Sequence, residues 1–134
     1  MKTESKVLAT FLAAAVWEDG EYNEFEQELV GEIGEELGIK SLKADLEATI
    51  ALVENLSEDD LDVALKDAAK KVNASEKEGI LVLCLQMLCA DAFLSTDEIE
   101  NFFAFADILG VDENAAENIL DEYVNEEEDL IIEE

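Results

Sequence analysis

Val7, Leu8, Phe11, Leu12, Ala15 and Val16 recur three and four residues apart and end at Asp19-Gly20. That is the spacing of one helix face. Asn23 opens a second such run, with Phe25, Leu29, Val30, Ile33 and Leu37, and Gly38 stops it. Ser41 heads a third (Leu42, Leu46, Ile50, Val53) and Ser57 a fourth (Leu61, Leu65, Ala68, Val72), each as a helix cap. Ser75 caps a fifth, from about Glu76 to Ala90. Ser95 caps a sixth, with Ile99, Phe102, Phe103, Ala106 and Leu109, stopped by Gly110; Asp112 caps a seventh, with Ala116, Ile119, Leu120 and Tyr123. No stretch alternates with period two for long enough to predict a strand. Short connections between seven amphipathic runs predict an all-α bundle.

Two of the runs are apolar nearly all round. Phe11 to Trp17 in the first and Gly79 to Ala90 in the fifth carry almost no polar face. Such helices belong in the centre of a bundle. The chain also repeats itself. At an offset of 72 residues Asp19 falls on Asp91, Glu26 on Glu98, Glu28 on Glu100, Leu37 on Leu109 and Gly38 on Gly110. Leu12 falls on Cys84, Val16 on Leu88, Trp17 on Cys89 and Ile33 on Phe105, with Phe25 over Asp97 as the exception. Helices one to three therefore resemble helices five to seven, and the fourth links them. Residues 126–134 form an acidic tail whose Leu130, Ile131 and Ile132 either dock on the bundle or offer a sticky end.

Charge changes the picture most. The 134 residues hold 36 acids against 8 bases, a formal charge of −28, and the chain has no His. All the bases are lysines; Arg and Pro are absent as well. Imidazole-based catalytic triads and His-ligated zinc sites are excluded, and no guanidinium fork exists for phosphate. Nucleic acid and anionic lipid are repelled, while cations and basic proteins are attracted. Cys84 and Cys89 lie about 140° apart around one helix, so they do not face each other for a disulfide. Both align with apolar residues in the other half, which predicts a core role. Two unpaired thiols, a charged Glu4 where a leader would be basic, and no apolar run long enough for a bilayer make the cytoplasm the expected compartment.

One spacing recurs where chemistry is conceivable: Asp, six residues, Glu, in Asp19–Glu26 and again in Asp91–Glu98. Asn23-x-x-Glu26 and Ser95-x-x-Glu98 read as capping boxes. The acids near the following helix N-terminus also complement its dipole. The first copy matches the second half of a calcium loop as well, with Asp19, Gly20, Tyr22 and Glu26 at its fifth, sixth, eighth and twelfth positions. The first and third positions are then Ala15 and Trp17, which offer no side-chain oxygen. In the second copy they are Met87 and Cys89, and Ala92 stands where glycine is needed. A weaker divalent-cation site from Asp19, Glu21, Glu26, Asp91 and Glu98 requires the two copies to converge. Carboxylate-pair catalysis has no sugar platform or catalytic partner beside it. Gly31 and Gly34 lie inside the second helix, where they admit a close neighbour.

The stretch Ala13-Ala-Ala-Val-Trp-Glu-Asp-Gly-Glu-Tyr-Asn-Glu-Phe-Glu26, the closing Leu37-Gly38-Ile39, and the second copy from Cys89-Ala-Asp91 through Glu98 to Leu109-Gly110-Val111 resemble the tellurite-resistance TerB-like family. The likeness runs over roughly residues 5 to 125 and departs at Ala92. It implies a single helical domain over residues 1–125 with internal pseudo-symmetry, from a bacterial protein, cytoplasmic or membrane-facing, linked to tellurite and general stress resistance. It implies no enzymatic activity and no required cofactor. Asp19, Glu26, Asp91 and Glu98 are the positions it marks for metal or partner contact. The first expectation is thus a non-enzymatic acidic interaction module with a protein partner, a basic one suiting its charge, and neither nucleic acid binding nor membrane insertion. The alternative is a divalent-cation binding protein of the calcium or manganese type. A third reading is a nucleic-acid mimic that occupies a DNA-binding protein.

Overall fold

The apolar spacing is realised as seven α-helices: α1 (Ser5–Asp19), α2 (Glu24–Leu37), α3 (Leu42–Val53), α4 (Glu58–Lys70), α5 (Lys77–Leu88), α6 (Thr96–Leu109) and α7 (Glu113–Glu126). The computed structural model describes residues 3–19, 22–90, 92–127 and 130–132, without the side chains of residues 18 and 19. α1 and α5 occupy the centre. In α1 the buried set runs from Val7 to Val16 with only Thr10 partly exposed; in α5 Ile80, Leu81, Cys84, Leu85, Met87 and Leu88 are all buried. α1 packs on α3, α5, α4 and α6, and α5 on α1 and α6. Phe11 and Phe102 are the largest fully buried side chains, and burial of rings this size supplies about 2–3 kcal/mol each.

Asn23, Ser57 and Ser95 cap α2, α4 and α6 through their side chains, and Gly38 and Gly110 close α2 and α6 in the left-handed conformation, with φ of 70° and 80°. Three expected caps fail. Ser41 already has helical dihedrals and makes no cap bond; its hydroxyl donates instead to Ser5 Oγ at 3.4 Å. Asp112 makes no side-chain cap bond either. Ser75 lies within a 3-10 turn, Ala74–Glu76, capped by Asn73, and α5 starts at Lys77. Phe25, expected on the inner face of α2, is 61% exposed. Gly34 does admit a close neighbour, since a Cβ there would lie 3.0 Å from Ile39 O, but Gly31 faces open space.

α1 and α3 form the most extensive helix pair, and the ends that meet show that they run in the same direction. Their N-terminal ends are joined where Ser5 Oγ donates to Asp45 Oδ2 at 2.6 Å. Their C-terminal ends flank a common cleft. The counterpart pair in the second half, α5 with α7, touches only slightly. α2 and α6 thus share their capping boxes and closing glycines, while α3 and α7 differ in how they pack.

A short parallel pairing, β1 (Phe93–Leu94) with β2 (Ile131–Ile132), departs from the all-helical expectation. The backbone N–H of Ile131 also donates to Ala92 O at 2.9 Å. Leu130 packs partly buried against the core. Of the two fates expected for this apolar stretch, Leu130 follows the first and docks, while Ile131 and Ile132 pair with β1 yet keep exposed side chains. Among the described residues no helix is long and apolar enough to cross a membrane.

Candidate functional site

The two Asp-to-Glu turns sit between α1 and α2 and between α5 and α6. Each ends in a complete capping box. At the first, Glu26 N–H donates to Asn23 Oδ1 and Asn23 N–H donates to Glu26 Oε1, both at 3.0 Å. At the second, Glu98 N–H donates to Ser95 Oγ at 3.1 Å and Ser95 N–H donates to Glu98 Oε1 at 3.0 Å. Helix initiation therefore occupies one carboxylate oxygen of each glutamate. Glu26 is only 1% exposed, while Glu98 is partly exposed. The second turn passes through a left-handed step at Ala92, φ 62°, although alanine carries the Cβ that disfavours it.

The remaining candidate acids are placed less fully. Glu21 and Asp91 lie outside the described residues, as does the side chain of Asp19. Among the described residues no group of three or more acids or thiols could hold a metal ion. Strand pairing does not join the two turns either, since β1 pairs with β2. Nothing described favours the divalent-cation reading over the capping one.

The cysteines are buried thiols. Desolvation pushes Cys84 up to about 12, which removes it as a nucleophile near neutrality. The lysine ion pairs are local and exposed: Lys66 to Asp62 at 2.9 Å and Lys70 to Asp67 at 3.9 Å, both on α4. Long acidic faces remain elsewhere. On α2 Glu24, Glu28, Glu32, Glu35 and Glu36 are exposed; on α7 Glu113, Glu117, Asp121, Glu122 and Glu126 are. Neither helix contains a lysine.

One cleft was not expected from the sequence. It has a volume of about 470 Å³ and lies between the C-terminal ends of α1 and α3. Ala13, Val16 and Trp17 form one wall, and Ile50 and Val53 the other; Glu54 sits on the rim and Tyr22 lines it from the first turn. Each wall uses residues at i, i+3 and, for Trp17 and Glu54, i+4, which is the signal that marks a shared face. The Tyr22 hydroxyl is buried and has no hydrogen-bond partner among the described residues. Burial and, secondarily, the charges of Glu47 and Glu26 push its ionisation up to about 12.

No protein-family model, curated protein sequence or solved structure matches the chain.

Proposed function

We propose that this chain is a non-enzymatic, acidic helical interaction module of the TerB-like type, working in the bacterial cytoplasm in tellurite or general stress response through contact with a basic protein. One observation carries the reading: the exposed faces of α2 and α7 are lined by carboxylates, with no lysine in either helix to neutralise them. Such faces raise the local concentration of cationic partners and speed their encounter. They repel nucleic acid for the same reason. The likeness of the two turns to the TerB-like pattern supports the stress-response part. The buried, desolvated Cys84 adds no candidate nucleophile.

The test is calorimetric titration with a lysine-rich helical peptide at about 0.15 M salt, where distant surface charges are screened. Saturable binding is expected, weakened about tenfold when Glu24, Glu28, Glu32 and Glu35 are changed to Gln, a loss of about 1.4 kcal/mol. Equal binding by the variant overturns the role of the α2 face. Expression in a tellurite-sensitive bacterium should raise the tolerated tellurite concentration; unchanged tolerance removes the stress-response part.

A further inference from the structure

The cleft between α1 and α3 combines features that all favour a cation. Two helices end there in parallel, so the negative ends of two helix dipoles converge on one place. Neither helix has a basic residue in its last turn to complement that end. Trp17 and Tyr22 supply aromatic faces, to which ammonium groups are drawn. Glu54 stands on the rim, and Glu47 is near enough to Tyr22 to act on it electrostatically. No basic side chain among the described residues lines the cleft. The wall residues Ala13, Val16, Ile50 and Val53 are apolar and suit an aliphatic stem.

We infer that this cleft receives the stem and ammonium group of a lysine side chain presented by a basic protein partner. The methylenes lie along the apolar walls. The ammonium sits against Trp17 and Tyr22 and faces Glu54. A carboxylate ligand is excluded by the charges and dipoles already there. The inference rests on the basic-partner reading above and names a site for it.

Trp17 is the sole tryptophan, so its fluorescence reports on the cleft directly. The probes are a capped Leu-Lys-Leu peptide, the same peptide with norleucine for lysine, and free pentylammonium, all at about 0.15 M salt. The lysine peptide should shift Trp17 emission saturably and bind at least about tenfold more tightly than the norleucine peptide. Glu54→Gln should weaken it several-fold, while Glu113→Gln on α7, an equal loss of charge elsewhere, should not. Equal binding of the norleucine peptide overturns the ammonium site. So does equal weakening by Glu54→Gln and Glu113→Gln, which would mean unlocalised charge attraction. Pentylammonium binding as tightly as the peptide would overturn the protein source and assign a free amine. Calorimetric heats without any Trp17 response would sink this site and leave the basic-partner reading standing. Silence in both measurements, with the lysine-rich peptide included, would sink both.

Discussion

The two turns begin from the same local device and are finished differently. Both end in a capping box that starts the next helix, and both of those helices close on a left-handed glycine. At the second turn the chain covers itself: Leu94 is fully buried, β2 lies alongside, and Ile131 bonds to Ala92. At the first turn Tyr22 occupies the position equivalent to Leu94. It borders an open cleft and keeps a buried hydroxyl without a partner among the described residues. The same capping device thus stands in one place beside a paired strand and in the other beside a cleft with no strand alongside. What separates them is the residue four before the capping glutamate and whatever covers it.

Substitution at those equivalent positions should break the comparison most visibly. Leu94→Ala is expected to cost about 2–5 kcal/mol by denaturant unfolding, because it leaves a cavity under the β pair. Tyr22→Phe removes an unsatisfied buried hydroxyl and should be neutral or stabilising by up to about 1 kcal/mol. Losses of similar size at both positions would mean that the turns are equivalent. The capping glutamates come next. Glu26→Ala should cost about 2 kcal/mol and Glu98→Ala about 1 kcal/mol, since only the first also opens space in the interior. The reverse order in thermal melts would contradict the burial difference. The smallest effect is alkaline. A tyrosine held neutral by its surroundings adds stability that is complete below pH 10 and is lost as pH rises toward about 12. Tyr123 is also raised, chiefly by burial. The folded protein should therefore show little phenolate absorbance at pH 10, and Tyr22→Phe should soften the stability loss above it without abolishing it.

Much of this architecture was legible because periodicity reports burial. The near-continuous apolar runs of α1 and α5 could only be central, and Asn23-x-x-Glu26 and Ser95-x-x-Glu98 declared their own caps. Cys84 aligned with Leu12 and is indeed core. Ser41 misled because a serine before an apolar run signals a cap only if its backbone is extended, and here it is helical. Phe25 misled because it is apolar and in phase yet lies outside the buried arc of Glu26, Val30 and Ile33. The β1–β2 pair gave no signal: two-residue strands have no period, and their partnership is long-range. For the candidate site, the sequence exposed the glutamates of the turns but not the cleft. Trp17 and Glu54 meet only because α1 and α3 run parallel, and no local pattern encodes the direction of a distant helix.

That parallel arrangement also bears on how fast the chain reaches its native state. In an up-and-down bundle each helix pairs with its neighbour, and the first contacts close short loops. Here the largest helix interface skips α2, and Ser5 must find Asp45 forty residues away. The chain loses more freedom before this interface can reward it. Among helical proteins of its length it is expected to fold on the slow side.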